Sequence, residues 1–135
     1  NMFDETWLWA GKFRTEDLNI GTDWMHIQEQ LQMLADDITF WNNHREGMTL
    51  LEQSVRIHHR LVKIHPFLNG NGRFARLVAD IFLFSQGHAI PQWPEKSFVE
   101  KSTIRSEYIN ALKAADDGDY SPLKTFITAL IKQTR

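Results

Sequence analysis

Cysteine is absent from this chain of 135 residues. Neither a disulfide framework nor a thiolate zinc site can be built without it, which excludes the small disulfide-stapled folds of secreted proteins. Long apolar runs are absent as well: the longest span only a few residues, whereas a membrane-spanning helix needs about 20. No basic segment followed by an apolar stretch opens the sequence. We therefore expect a cytoplasmic protein with no membrane partner.

An excess of positive charge is also lacking. The chain has 15 lysines and arginines against 17 aspartates and glutamates, a formal net charge of -2. Because a surface that neutralises many nucleic-acid phosphates needs a positive excess, we expect no nucleic-acid partner. The length is that of one domain, and 42% hydrophobic residues can supply its core. We expect residues 1–135 to form a single domain that lacks an N-terminal segment, since the first apolar positions are typical of the end of a helix.

Glycine and proline are few, with seven and four residues, and apolar residues recur at steps of three and four along most of the chain. This periodicity predicts an all-α fold. We expect a first helix from a cap at Thr22 or Asp23 to the region of Asn42. Its apolar stripe, which should face the core, comprises Trp24, Ile27, Leu31, Leu34, Ile38 and Trp41.

Further helices are expected along the chain. The second begins at a capping box formed by Thr49 and Glu52. It ends before Pro66, because a proline disfavours helical geometry at the preceding residue. The third, residues 74–84, is apolar nearly all round and ends at Gly87. One or two further helices are expected after the loop at Pro91 to Pro94, and a last amphipathic helix begins at Ser121 and Pro122.

Residues 10–22 break the helical pattern. Gly11 and Gly21 flank a segment whose composition predicts a short β-hairpin or an extended loop. An exposed hairpin edge offers unpaired backbone donors and acceptors, so we expect an extended segment of a target protein to dock there. The side chains assigned to this docking flap are Phe13, Thr15, Leu18 and Ile20.

A polar loop lies between the second and third helices. Gly70 and Gly72 let backbone N–H groups converge without a Cβ in the way, and the helix that follows adds its N-terminal donors. Arg73 and Arg76 follow three residues apart on one helical face. The pattern predicts a phosphate-binding loop. The alternative is a plain double turn with solvated arginines, and the spacing alone leaves both interpretations open.

His65 stands at the entrance of this loop. An imidazole with an ordinary pKa of about 6.5 is a credible general base, although a lone histidine is more often a packed residue. We exclude a metal site at His58 and His59, because adjacent residues on a helix point about 100° apart. The segment from Gly70 to Ala75 matches a dinucleotide-binding fingerprint, but that motif must follow a strand and this segment follows a helix.

The segment from His65 to Arg76 resembles the signature of the Fic family, H-P-F-x-D/E-G-N-G-R-x-x-R, at every defined position except Asn69. Residues 9–14, W-A-G-K-F-R, and the chain up to Gly21 resemble the flap of the family, and the order of helices fits the Fic core. Within the family, the flap and the asparagine most resemble the branch called mobile mystery protein B. The resemblance implies a Fic-type helical bundle with a short β-hairpin flap.

Fic proteins typically move AMP from ATP to a hydroxyl of a target protein. The resemblance therefore implies a protein adenylyltransferase, with ATP and Mg2+ as cofactors and a target protein bearing a Ser, Thr or Tyr hydroxyl as partner. His65 is implied as the catalytic base, and Phe67 as an anchor in the core. The implied phosphate-binding residues are Gly70, Asn71, Gly72, Arg73 and Arg76.

Asn69 stands where the family has an acid that holds Mg2+. A neutral amide oxygen can still bind the metal, weakly or through water. Two alternatives to the transferase therefore stay open. One is a nucleotide-binding regulatory module with weakened catalysis, and the other is a related phosphotransferase.

The resemblance also concerns inhibition. Family members often carry an inhibitory helix in which Ser or Thr is followed, after three residues, by Glu and then by Gly or Asn. The Glu pairs with the second arginine of the signature, here Arg76. This pattern does not occur in the sequence. We therefore expect inhibition to come from a missing N-terminal segment or from an antitoxin-like partner protein.

Overall fold

The computed structural model describes residues 13–18, 21–44, 47–94 and 103–132. In these ranges the chain forms five α-helices and no strand, so the predicted all-α class is confirmed for them. No described helix is both long enough and apolar enough to cross a membrane. The helices are α1 (Ile27–Asn43), α2 (Leu50–Ile64), α3 (Asn71–Ser85), α4 (Thr103–Asp116) and α5 (Ser121–Lys132).

Local signals set the ends of α2 and α3. The hydroxyl of Thr49 accepts a hydrogen bond from the N–H of Glu52 and donates one to its carboxylate, both at 3.1 Å, which confirms the capping box. At the far end of α3, Gly87 has a φ of +75°. The N–H of His88 then donates to the carbonyl of Leu83 at 2.9 Å, so α3 ends in a Schellman motif at the predicted glycine.

A single 3-10 turn, Trp24–His26, precedes α1. Ile27 and Leu34 are buried as the apolar stripe predicts, whereas Asp23, one of the predicted caps, makes no side-chain capping bond. The prediction for Trp24 is wrong, since this side chain is 40% exposed. A 3-10 turn advances about 120° per residue instead of about 100°, so it carries Trp24 off the stripe.

The predicted hairpin is not seen in residues 13–18. The backbone N–H of Arg14 donates to the carbonyl of Pro66 at 2.9 Å, and that of Thr22 donates to the carbonyl of Ile64 at 3.3 Å. These donors bond to the last residue of α2 and to the loop that follows it, which leaves them unavailable to a facing strand. Residues 1–12, Asn19 and Ile20 lie outside the described ranges, and with them the rest of this prediction.

The core consists of two apolar clusters, and α2 contributes to both. Ile57 and Leu61 lie in the first cluster, with side chains from α1, α3 and the loop that precedes α3. Val55 lies in the second, with side chains from α4 and α5. Because α2 is packed on both sides, the position of its C-terminal end is fixed, and the polar loop begins at that end.

Candidate active site

His65 directly follows α2 and has a left-handed backbone conformation, with φ 53° and ψ 62°. It is the one non-glycine residue with a positive φ in the part of the chain that the structure describes. Its N–H still donates to the carbonyl of Leu61 at 3.0 Å, so it closes the helix. A left-handed residue with a β-carbon costs roughly 1–2 kcal/mol and persists only where its surroundings impose it.

Phe67 and Asn71 hold the loop between α2 and α3 in shape. Asn71 is buried; its Oδ1 accepts from the N–H of Phe67 and its Nδ2 donates to the carbonyl of the same residue, both at 2.8 Å. The buried ring of Phe67 lies 5.1 Å from that of Phe74 and 5.8 Å from that of Phe13, centroid to centroid. The two ends of the loop are therefore tied to each other and to the first cluster.

The tip of the loop is open to solvent. Leu68, Asn69 and Gly70 are exposed, and Gly70 stands at the N-terminus of α3 with a φ of +77° and no side-chain capping bond. A Cβ at Gly70 would meet nothing within 4 Å. The first N–H groups of a helix lack intrahelical partners and carry the positive end of its dipole. This end of α3 can accept an anion, and phosphate oxygens suit it.

The two arginines of the loop have different surroundings. Arg73 is exposed, whereas Arg76 is half-buried. Arg76 hydrogen-bonds to the hydroxyl of Tyr108, and its guanidinium carbon lies 5.6 Å from the ring centroid of Trp93. Its Nη1 lies 3.4 Å from the point that a Cβ on Gly72 would occupy. Arg76 is therefore held beside the first turn of α3, while Arg73 reaches into solvent.

The protonation of His65 depends on its surroundings. Burial lowers its pKa, the positive charge of Arg14 lowers it further, and a hydrogen bond to the backbone of Val62 raises it. Because its pKa is lowered, the imidazole is neutral at neutral pH. A neutral imidazole carries a proton on one ring nitrogen and keeps on the other the lone pair that can accept one. The neutral imidazole has the form that a general base requires.

A chain of hydrogen bonds leads from Arg76 into the core. Arg76 bonds to the hydroxyl of Tyr108, which lies 2.6 Å from Nε2 of His58. Burial, with the charges of Arg76 and His59, lowers the pKa of His58 to about 3. His58 is therefore neutral, and its Nε2 shares a hydrogen bond with the hydroxyl of Tyr108. Burial also raises the pKa of the nearby Asp80 to about 6, against the opposing effects of its hydrogen bond and of Arg76.

The burial of His58 predicts a loss of stability in acid. The unfolded chain binds a proton there below the usual pKa of 6.5, whereas the folded chain does so only near pH 3. Between these values the unfolded state holds more protons at His58, so the contribution of His58 to the free energy of unfolding decreases as the pH is lowered, by about 1.4 kcal/mol per pH unit. Urea titrations of the wild type and of His58→Gln check this. A plot of the free energy of unfolding against pH should have a shallower slope for His58→Gln than for the wild type. Equal slopes would contradict a neutral His58 in the folded state.

Known proteins are similar to this chain in sequence and in architecture. The model of the Fic/DOC family matches residues 1–83, more than half of the chain. The chain belongs to the Fic/DOC family. The protein adenylyltransferase Fic of Drosophila ananassae is 30% identical over 127 residues, 93% of this chain and 24% of that protein, and its namesake in Drosophila melanogaster gives the same values. The solved structure of Fic-1 from C. elegans has a TM-score of 0.71 and 25% identity, and covers 91% of this chain and 34% of that one.

The chain thus spans about a quarter of the length of the curated relatives it matches. Its signature, residues 65–76, lies within the matched range and forms the turn from α2 into α3. Among the residues assigned to the flap, Phe13 packs into the core, Thr15 is exposed and Leu18 is half-buried. The assignment to the branch called mobile mystery protein B stays a prediction.

Arg14 lies at the candidate site, although its residue type and spacing do not single it out. Its side chain is only 3% exposed. Its acceptors are backbone carbonyls, two of them about 50 positions away. Because every residue type has a backbone carbonyl, the sequence does not show which residues accept these bonds. A signal that could have found it is its place inside the W-A-G-K-F-R segment. The guanidinium donates to the carbonyls of His65, Ile64, Thr22 and Glu16.

ATP and Mg2+ are the small partners that membership of the Fic family implies. The open space at Gly70, the uncapped start of α3 and the two arginines suit a triphosphate. Mg2+ in nucleotide sites takes most of its ligands from phosphates and water, so the exposed amide oxygen of Asn69 fits as one neutral ligand. Within the described ranges, no group of three or more His, Asp or Glu side chains could hold a metal by itself.

Proposed function

We propose that this Fic domain is a protein adenylyltransferase, which moves AMP from ATP to a Ser, Thr or Tyr hydroxyl of a target protein. One observation carries the proposal. The turn that closes α2 holds a neutral histidine, and the same loop continues into the open, positively polarised start of α3. A base and an anion site are thereby joined in one rigid loop. The names of the Drosophila relatives support the same activity.

In the proposed reaction, His65 accepts the proton of the target hydroxyl while that oxygen attacks the α-phosphorus of ATP. The bond from the α-phosphorus to its bridging oxygen breaks, and pyrophosphate leaves with the electron pair. Mg2+ supplies charge neutralisation on the phosphates when it is bound. Backbone N–H groups of Gly70, Asn71 and Gly72 stabilise the charge that develops on the phosphate oxygens. Arg73 faces the leaving group from solvent.

Arg76 is proposed to bind the γ-phosphate. Its half-buried position, fixed by Tyr108 and Trp93, limits the loss of side-chain entropy when the phosphate binds. In the same position, Arg76 can also be occupied by a competing anion. A carboxylate from an inhibitory segment or from an antitoxin-like partner would form a charge-assisted pair with Arg76 in the place of the γ-phosphate.

A second candidate function is nucleotide binding with weakened catalysis, and Asn69 favours it. The amide lacks the negative charge with which a carboxylate would hold Mg2+ between phosphates. A third, phosphotransfer, requires the nucleotide to lie the other way round, with its γ-phosphorus near His65.

Incubation of the protein and a cell extract with α-labelled or γ-labelled ATP separates these functions. Relative to extract incubated without the protein, which measures the kinases of the extract, we expect added label from the α position only, with a mass increase of one AMP at a hydroxyl side chain. Added label from the γ position would establish phosphotransfer instead. Tight ATP binding without transfer of either label would establish the regulatory module.

Asn69→Asp is expected to tighten the binding of ATP in the presence of Mg2+, because a full negative charge replaces a neutral ligand oxygen. A gain on the order of tenfold corresponds to one added charge in a solvated site. In the presence of a chelator, the same variant should bind ATP more weakly than the wild type, since the carboxylate then repels the phosphates. Calorimetric titration with and without Mg2+ measures both effects.

Leu68→Asp is the matched control for this prediction. It adds the same charge at a neighbouring position that is also exposed, but one residue away from the position that holds the metal in the family. It should weaken ATP binding in both conditions. A Mg2+ dependence that is the same in Asn69→Asp and in the wild type would remove Asn69 from the metal site.

A further inference from the structure

Arg14 is a buried cation that, within the described residues, forms no ion pair with a carboxylate. A buried charge is costly unless hydrogen bonds satisfy it. Here backbone carbonyls satisfy the guanidinium, including two at the C-terminal end of α2, where the helix dipole favours positive charge. An apolar side chain could fill the same space without this cost. The reason for an arginine at this position must therefore lie in the backbone groups to which it hydrogen-bonds.

Arg14 binds three consecutive carbonyl groups around His65. Its Nη2 donates to Ile64 at 3.3 Å, its Nε donates to His65 at 2.6 Å, and its backbone N–H donates to Pro66 at 2.9 Å. The first two carbonyls belong to the peptide planes before and after the Cα of His65. Because these planes define the φ and ψ of a residue, Arg14 fixes the left-handed conformation of His65. That conformation sets the direction in which the imidazole leaves the backbone.

Gly21 packs closely against both His65 and Arg14. Its φ is +98°, and a Cβ there would lie 2.7 Å from Cβ of His65, 2.9 Å from Nη2 of Arg14 and 3.2 Å from the carbonyl oxygen of Ile64. The backbone at Gly21 is thus in close contact with His65 and with Arg14, which fixes the conformation of the histidine. Only a residue without a side chain can approach so closely.

We propose that Arg14 is a positioning residue for His65, and that Gly21 provides the close contact that keeps the two together. The role rests on the proposed function, in which His65 accepts the proton of the target hydroxyl. Arg14 holds the carbonyls on both sides of the histidine, so the imidazole keeps one direction relative to the start of α3. The charge of Arg14 also favours the neutral imidazole, which is the form that can accept a proton.

Two substitutions separate geometry from charge. Arg14→Lys keeps the charge but cannot reproduce the planar set of donors, so the pKa of His65 should stay near its wild-type value while transfer slows. Arg14→Met loses both the charge and the donors, so the pKa of His65 should rise and transfer should also slow. A misplacement of about 1 Å typically costs on the order of 10²-fold in rate, and we expect this loss in kcat with the affinity for ATP unchanged.

Lys63→Met is the control for Arg14→Met. It removes an exposed cation two positions before His65 and should leave kcat and the pKa of His65 unchanged. NMR titration of the His65 imidazole gives the pKa without any need for turnover, with the signal assigned through His65→Asn. If Arg14→Met does not fold, Arg14→Lys and the glycine variants below still decide the proposal.

Gly21→Ala and Gly47→Ala form a second matched pair. Both glycines have a strongly positive φ, +98° and +94°, so an alanine strains both backbones alike, but a Cβ at Gly47 meets nothing within 4 Å. Gly21→Ala should reduce kcat on the order of 10²-fold and shift the His65 resonances. Gly47→Ala should lose stability only.

The proposal is overturned if the Arg14 variants lower stability but leave kcat and the His65 resonances at wild-type values. It is also overturned if Gly21→Ala and Gly47→Ala behave alike. A wild-type protein that transfers no AMP would contradict the proposed function instead. In that case the His65 resonances of the same variants would still show whether Arg14 and Gly21 set the conformation of the histidine.

Discussion

His65→Ala is expected to abolish AMP transfer while the affinity for ATP stays within about twofold, because His65 acts on the acceptor hydroxyl and not on the nucleotide. The loss of a general base typically costs on the order of 10²- to 10⁴-fold, so the transfer assay must resolve at least that range. Transfer of α-label to protein measures the rate, and calorimetric titration measures ATP affinity. This is the largest effect on activity that the structure predicts.

Alanine also changes the backbone at this position, since His65 has a positive φ. His65→Asn separates the two effects, because asparagine tolerates the left-handed conformation but cannot act as a base at neutral pH. It should be as inactive as His65→Ala and more stable. His88→Ala, beyond the opposite end of α3, is the control and should transfer AMP normally. Wild-type rates in both His65 variants would remove His65 from the mechanism.

The helices around the site could be predicted because their signals are local. The capping box at Thr49, the proline after His65 and the glycine at position 87 each act within a few residues of the end that they define. Trp24 could not be placed in the same way. Its periodicity fits the apolar stripe, but a 3-10 turn changes the angle per residue, and nothing in the sequence marks that turn.

The contacts that shape the candidate site are long-range, and the sequence could not show them. The hairpin prediction relied on composition, whereas the backbone of Arg14 bonds to a carbonyl about 50 residues away. The side chain of Arg14 has carbonyl acceptors, and every residue type carries a carbonyl. The Fic signature identified the residues of the loop, yet it could not show which of its two arginines the rest of the fold would hold. The packing of Tyr108 and Trp93 makes that choice for Arg76.

Asn71 carries the largest expected effect on stability within the loop. Its side chain makes two hydrogen bonds of 2.8 Å to the backbone of Phe67, and all four groups lie in a buried region. Asn71→Ala leaves a buried N–H and a buried carbonyl without partners, and each such group costs about 1–3 kcal/mol. We expect a loss of about 2–4 kcal/mol in the free energy of unfolding, measured by urea titration. The loop should also loosen, so the affinity for ATP should fall.

Asn69→Ala is the matched control, because it removes the same side chain two positions earlier. Asn69 is exposed and makes no hydrogen bond to any described residue, so its loss should change stability by less than about 0.5 kcal/mol. Asn71→Asp adds a sharper test. The carboxylate still accepts from the N–H of Phe67 but faces its carbonyl with a second acceptor, so this variant should be at least as unstable as Asn71→Ala. If the stabilities of the Asn69 and Asn71 alanine variants were equal, the two bonds to Phe67 would not hold the loop, and the start of α3 would have to be positioned by the packing of Phe67 and Phe74 alone.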